Sequence, residues 1–283
     1  MTACRTSAGP LGPAETLSDH RRGAISQVPD EAGCDVSVRG LRKSFGAARI
    51  LSGIELEVPR GQAVALIGSN GAGKSTLLRC LLRLIEPSAG RVRILGREVG
   101  ALSPRELRAL RARVGFVFQK HNLVSRLSAL SNVLHGAQAR SASPRLWLQA
   151  LARDGDRLEA LRCLEKVGLA HLAERRADRL SGGQSQRVAI ARALMQRPQI
   201  IFADEPVASL DPQAGTEVME IFLELIRREG ITLLFTSHSL AQALHYSDRV
   251  VGLRGGRIEL DAPSASLNQE HLRGIYESVA ATA

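Results

Sequence analysis

Residues Gly68-Ser69-Asn70-Gly71-Ala72-Gly73-Lys74-Ser75 fit the spacing G-x-x-x-x-G-K-[ST]. These residue types in this order can hold phosphate. Glycines let the backbone curl until its N–H groups point inward at phosphate oxygens. A helix that follows adds its positive N-terminal end. Lys74 can reach the β- and γ-phosphates of a nucleotide, and the Ser75 hydroxyl can ligate Mg²⁺. Average residue frequencies place such a pattern by chance in about 1 in 100 chains of this length. Here it also follows a buried apolar run, Ala63 to Ile67, and precedes a helical pattern, so a plain Gly-rich turn is the weaker reading.

Two further segments narrow the chemistry. Ile200-Ile201-Phe202-Ala203-Asp204-Glu205 is an apolar strand ending in two carboxylates. Asp204 at the strand end is placed to hold Mg²⁺, directly or through water. Glu205 is a candidate to orient and polarise an attacking water. Leu180-Ser181-Gly182-Gly183-Gln184 precedes a helical pattern from Gln186 to Met195. Small residues and free N–H groups at a helix start make a second anion site. The two loops are more than 100 residues apart. The economical explanation is a dimer in which one chain's second loop covers the nucleotide held by the other.

The elements that must position these residues alternate. Val36-Ser37-Val38 and Ile54 to Val58 read as strands, and Pro59-Arg60-Gly61 as a turn. A buried strand runs from Ala63 to Ile67, a helix from about Lys74 to Ile85, and another strand from Arg91 to Leu95. Ser103-Pro104-Arg105-Glu106 has the form of a helix start, with Ser as cap, Pro first and Glu third. Arg105, Arg108 and Arg111 share one face of that helix, either solvated or docking an anionic partner. Val114 to Phe118 is a strand, and 122–179 reads as helical, with Leu158, Leu161, Leu164 and Val167 in helical spacing. Then follow strand 199–203, helix 212–229, strand 231–236, helix 240–245 and strand 249–253. Such alternation indicates an α/β domain with a largely parallel sheet, interrupted by an inserted helical subdomain.

The whole chain has 283 residues, 44% apolar and 23% charged, which is ordinary for a globular protein with a substantial core. No stretch approaches the ~18 apolar residues of a membrane span. Residues 1–34 are rich in Gly, Pro, Ala and Ser and lack the apolar run of a secretion signal; they read as a disordered extension. The four cysteines are far apart, which favours incidental thiols over a metal or disulfide framework. The net charge of +10 lies outside the extension and suits nucleotides, anionic lipid headgroups or nucleic acid without choosing among them.

In combination these segments resemble the ATP-binding subunit of ATP-binding-cassette (ABC) transporters, over about residues 36–260. The resemblance implies a P-loop NTPase fold: a mostly parallel α/β core, an antiparallel β subdomain and an inserted α-helical subdomain at about 122–179. The nucleotide-binding domain would span 35–262, followed by a helical tail over 263–283. ATP and Mg²⁺ are the implied cofactors. Phe45 sits where an aromatic ring stacks on adenine, although the family more often has Tyr. With it, Gly68, Ser69, Asn70, Gly71, Ala72, Gly73, Lys74, Ser75 and Thr76 would hold ATP. Gln119, in Phe118-Gln119-Lys120, matches the glutamine that senses Mg²⁺ and the attacking water. His238, in Thr236-Ser237-His238, matches the histidine that contacts the γ-phosphate. Glu205, His238, Gln119 and Lys74 form the implied catalytic set, and Ser75, Gln119 and Asp204 the metal set. Ser181, Gly182, Gly183, Gln184 and Asp211 would serve the partner's ATP.

A finer resemblance is to the ATPase of phosphonate importers. It is carried by Phe118-Gln119-Lys120-His121-Asn122-Leu123-Val124, Asn132-Val133-Leu134-His135-Gly136 and Ala203-Asp204-Glu205-Pro206-Val207-Ala208-Ser209. Ser239 departs from the Gln that many relatives carry there. The implied protein is an ATP hydrolase on the cytoplasmic face of the cell (inner) membrane that powers uptake of phosphonate or a similar oxyanion such as phosphite or phosphate. Its implied partners are a second copy, head-to-tail across two ATP, an integral membrane permease and, indirectly, an extracytoplasmic solute-binding protein. A different cargo or an exporter is the alternative. A nucleic-acid-associated ABC ATPase usually carries coiled-coil insertions or tandem cassettes, which this sequence lacks, so no nucleic acid is expected.

Overall fold

The computed structural model describes residues 33–140 and 149–268. Of the extension expected over 1–34, residues 1–32 lie outside the described residues, and Cys34 already opens the first strand; of the helical tail expected over 263–283, the part beyond 268 lies outside them. In chain order the elements begin with β1 (Cys34–Phe45), β2 (Ala48–Pro59), β3 (Ala63–Ile67), α1 (Lys74–Leu81), β4 (Ala89–Ile94) and β5 (Arg97–Glu98). Next come α2 (Pro104–Arg111), β6 (Val114–Val117), α3 (Ala129–Leu134), α4 (Asp154–Lys166) and α5 (Gly182–Leu194). The last are β7 (Ile200–Ala203), α6 (Pro212–Glu229), β8 (Thr232–Thr236), α7 (Leu240–Tyr246), β9 (Arg249–Arg254) and β10 (Arg257–Pro263).

Two sheets organise the chain. One is antiparallel, in the order β2-β1-β4-β5. The other has the order β10-β9-β3-β8-β7-β6, parallel throughout except for β10. The parallel sheet is buried on both faces, which is why its strands read as unbroken apolar runs. Side chains alternate between faces along a strand. Ala63, Ala65 and Ile67 therefore enter the core shared with α3–α6, and Val64 and Leu66 enter the core beneath the antiparallel sheet. β7 divides the same way, with Ile201 and Ala203 on the helical side and Ile200 and Phe202 on the other.

The parallel order β3-β8-β7-β6 has a direct consequence for the site. The carboxyl ends of all four strands leave the sheet along one edge. Gly68 follows β3, Ser237 and His238 follow β8, Asp204 and Glu205 follow β7, and Phe118 and Gln119 follow β6. Segments far apart in sequence thus become neighbours, in the place where open α/β sheets hold ligands.

Several elements differ in length from the sequence reading. The helix opening at Lys74 closes at Leu81, because Arg83 turns into the left-handed region (φ 52°) and donates to the carbonyls of Val99 and Leu102. Arg111 of α2 faces inward rather than toward a partner: its guanidinium donates to the carbonyls of Leu82 and Arg83 and closes the end of α1. Ser103 and Glu106 form the expected capping box. The stretch 122–179 is not continuously helical. It holds α3, α4 and short 3₁₀ turns, with 141–148 outside the described residues. β10 is absent from the sequence reading, and it carries the fold through 263 to a 3₁₀ turn at Ser264–Ser266, within the expected tail. Cys80 and Cys163 are buried, and burial pushes both thiols up to about 11, as suits inert core residues.

Candidate active site

The loop after β3 needs glycine for stated reasons. Gly68, Gly71 and Gly73 have φ of 150°, 81° and 103°. A Cβ on Gly68 would lie 2.3 Å from the Leu253 carbonyl oxygen, and one on Gly73 would lie 2.9 Å from Leu51 Cδ2. Atoms of neighbouring strands take the space that side chains would fill, and a glycine loop of this kind can turn its N–H groups toward an anion. Lys74 opens α1 and is 5% exposed. Its Nζ donates to the carbonyls of Gly68 (2.8 Å) and Ser69 (3.1 Å). Burial pushes the Lys74 ammonium below the ordinary lysine range, while Glu205 and Asp204 pull it back up. The ammonium is therefore held in the loop beside two carboxylates that share the site.

Asp204 is 4% exposed and has three partners. Ser75 Oγ donates to its Oδ1 at 2.7 Å, Thr236 Oγ1 donates to the same oxygen at 3.1 Å, and Arg79 lies 3.7 Å from Oδ2. Glu205 follows in the left-handed region, at φ 50°, a strained conformation for a residue with a Cβ. Its backbone N–H donates to Thr236 Oγ1 at 2.8 Å. One hydroxyl thus fixes both carboxylate residues. The Glu205 side chain meets His238, Oε1 to Nε2. A carboxylate can only accept, so Nε2 carries the proton in this contact.

Thr236 and Arg79 are the residues contacting this carboxylate pair that the sequence reading missed. Arg79 had a usable signal, because it lies four residues after Ser75 and so on the same face of α1. Thr236 had none that is local, because its partners come from the neighbouring strand. Thr236→Val keeps the branched shape and removes the hydroxyl. It leaves the Glu205 backbone N–H without its acceptor and removes one of the two hydroxyl donors to Asp204. We expect a stability loss of about 1–3 kcal/mol by denaturant unfolding. If Glu205 serves turnover, hydrolysis should also fall on the order of 10- to 100-fold, as misplacement of a positioned group does.

A cleft of about 250 Å³ joins several of these residues: Phe45, Ile50, Asn70, Gly71, Gly73, Lys74, Ser75, Thr76 and Glu205 line it. Phe45 is 50% exposed at its mouth. Gln119 is exposed and lines a separate cleft with Lys120, His121 and Ser209, so it is not brought to the wall of the Lys74 cleft. Ser181 caps α5: its Oγ accepts from Gln184 N, and Gln184 Oε1 accepts from Ser181 N. Gly182 and Gly183 pack against Leu210 and Ala214, and Asp211 caps α6 by accepting from Ala214 N. The second loop and Asp211 therefore form one group, and none of Ser181–Gln184 or Asp211 lines the cleft that Lys74 shares.

The hydroxyl and carboxylate oxygens of Ser75 and Asp204 are hard donors that suit Mg²⁺, which binds through one or two carboxylates together with phosphate oxygens. Among the described residues no group of three or more His, Cys, Asp or Glu could hold a metal ion by itself.

The family profile described as ABC transporter matches residues 51–208, which covers the phosphate loop, the second loop and both carboxylates. The chain belongs to the ABC transporter family. Its cassette is 47% identical over 250 residues to the phosphate-import ATP-binding protein PhnC of Mycolicibacterium smegmatis, covering 88% of this chain and 95% of that relative. It is also 47% identical to the phosphonates import ATP-binding protein PhnC of Stutzerimonas stutzeri, covering 85% of this chain and 89% of the relative. Among solved structures, the cassette is similar to cbiO1 from Clostridium perfringens, part of an ABC transporter complex, with a TM-score of 0.74 and 29% identity over 86% of this chain and 94% of that one. It is also similar to the ATP-binding cassette MJ0796, seen as a dimer in a post-hydrolysis state bound to ADP and Pi. That match has a TM-score of 0.69 and 32% identity over 81% of this chain and 98% of that one. The fold is the ABC ATPase fold that the motifs implied.

Proposed function

We propose that this chain is the ATP-binding and ATP-hydrolysing subunit of an importer for phosphonate or phosphate-type oxyanions. The observation that carries the reading is the match along almost the whole length of import ATP-binding proteins, together with a cleft that holds Lys74, Ser75 and Glu205. Relatives named for phosphate and for phosphonates match at the same 47% identity, so the cargo class is set by the shared tetrahedral phosphorus group.

The chain's own residues supply the chemistry. The loop amides and Lys74 bind the triphosphate and offset its charge. Ser75 and Asp204, with Gln119 as a further ligand, would hold Mg²⁺, which when bound would supply charge neutralisation on the phosphates. Glu205 orients the attacking water and takes its proton at the carboxylate, and His238 supports the γ-phosphate and steadies Glu205. Phe45 stacks on the base.

Two copies complete the site. The reading is supported by the separation of Ser181–Gln184 and Asp211 from the Lys74 cleft within one chain, and by the dimeric form of the similar cassette MJ0796. ATP contacts made only in the closed pair provide the differential affinity that drives closure. Among the described residues no helix is long and apolar enough to cross a membrane. In this reading, which the import relatives support, the chain works on a separate integral permease, peripherally at the cytoplasmic face, with a solute-binding protein acting from the other side. The surface around Gln119–Gly136 passes closure to that permease.

ATPase activity of the chain reconstituted with its permease and binding protein tests the cargo. Methylphosphonate or phosphate is expected to stimulate hydrolysis. Strong basal hydrolysis with no response to any phosphorus oxyanion would reject the cargo and leave the cassette.

A further inference from the structure

Phe45 is a large aromatic ring left half exposed, at the mouth of the cleft that also contains the phosphate loop. It has no hydroxyl through which to be fixed by a hydrogen bond. Such a ring, free to turn, would lose its rotational freedom on stacking, and that cost would come out of the binding energy. One contact addresses this. Lys43 Nζ lies 4.7 Å from the centre of the Phe45 ring. The same ammonium donates to the Glu86 carbonyl at 2.8 Å. Lys43 does not line the nucleotide cleft; Glu86, to which it is tied, belongs to the turn on the Cys80 and Pro87 side.

The surrounding backbone makes this arrangement rigid. Phe45 pairs with Ala48 across a two-residue turn in which Gly46 takes φ 58°. Ser44 N donates to Ser88 Oγ at 3.1 Å, and Ser88 N donates to the Arg42 carbonyl at 2.8 Å. The end of β1 is therefore laced to the 86–88 turn on either side of Lys43. A cation against one face of an aromatic ring is attracted by the ring quadrupole and draws π-density toward itself. The opposite face is then less electron-rich and better suited to an electron-rich purine.

We propose that Lys43 is a positioning residue for the nucleobase: its ammonium, anchored on the Glu86 carbonyl, holds the Phe45 ring in a stacking orientation and polarises it. This rests on the reading of the cleft as an ATP site. Lys43 acts through the ring and not on the phosphates.

A double-mutant cycle on the full chain tests it, with ATP and inorganic tripolyphosphate as probes; the second has the phosphates and no base. Lys43→Met is expected to raise Kd and KM for ATP about 2- to 5-fold, the size of an exposed cation–π contact, with kcat unchanged. Lys43→Arg, which keeps a cation able to lie against the ring, should restore both. In the Phe45→Ala background, Lys43→Met should add nothing. Tripolyphosphate affinity should be the same in every variant, which also shows each of them folded. Equal weakening for ATP and tripolyphosphate would overturn the proposal and make Lys43 a phosphate-side charge. Unchanged ATP affinity in Lys43→Met, with Phe45→Ala impaired, would overturn the role of Lys43 and leave the ATP site standing. Full ATP affinity in Phe45→Ala would overturn the stacking and with it the part given to Lys43. A chain that binds neither probe would fail the ATP-site reading itself.

Discussion

Glu205→Gln is expected to bind ATP as well as the unaltered chain and to lose about 10²- to 10⁴-fold in turnover, the range for removal of a general base. The substitution isolates proton acceptance from shape. The amide has the size of the carboxylate, and its carbonyl oxygen can still accept from His238 Nε2, the contact seen here. The φ of 50° and the hydrogen bond from the residue 205 N–H to Thr236 Oγ1 belong to the backbone and stay. The loop amides, Lys74 and Ser75 are untouched, so affinity should hold. What changes is that an amide does not take a proton from water. Single-turnover hydrolysis with saturating ATP measures this directly. If Glu205 served only to hold His238 in place, the variant would hydrolyse ATP at nearly the original rate, and the assigned role would be wrong.

The parts of this site that were legible in the sequence are those encoded locally. Gly68 to Ser75 and the Asp204-Glu205 pair announce themselves because each is a contiguous run beside an apolar strand. Phe45, Gln119 and His238 carry no such signal alone and entered only through resemblance. Thr236 stayed unread because its hydroxyl matters through β7, its neighbour in the sheet, 31 residues away from Glu205. The same distinction holds for the fold. Helix α6 was legible at both ends, from the Asp211 cap with Pro212 to Gly230 in the left-handed region. The stretch 122–179 was not, because its breaks are set by tertiary contacts. Asn122 turns left-handed (φ 51°) where Arg192 of α5 holds the carbonyls of His121 and Asn122. β10 could have been found: Gly255-Gly256, both with positive φ, are the signature of a two-residue hairpin, and the strand that follows alternates.

Lys74→Met should separate the two tasks that one ammonium performs. Here the group clasps its own loop, through the carbonyls of Gly68 and Ser69. The clasp is not cheap for the fold. Burial holds the folded-state pKa of Lys74 below the ordinary lysine value, so the charged form is disfavoured on folding. The sign follows directly. Stability linked to this group is lowest at pH values below the folded pKa and rises as pH climbs from the folded toward the unfolded value. A neutral side chain of similar length removes that burden, although two carbonyls lose a donor, at about 1 kcal/mol each. The nucleotide-free variant should therefore unfold at nearly the same temperature as the parent chain. The difference appears with MgATP. A ligand at 100 times its Kd stabilises a fold by about 2.7 kcal/mol. Loss of a charge-assisted contact to phosphate should weaken ATP on the order of 100-fold. At that same ATP concentration the variant should show almost no nucleotide-induced rise in melting temperature. An equal rise in both proteins would mean that Lys74 is a structural clasp alone, and that the loop amides carry phosphate binding without it. A large drop in the nucleotide-free melting temperature would reverse the sign assigned to its burial.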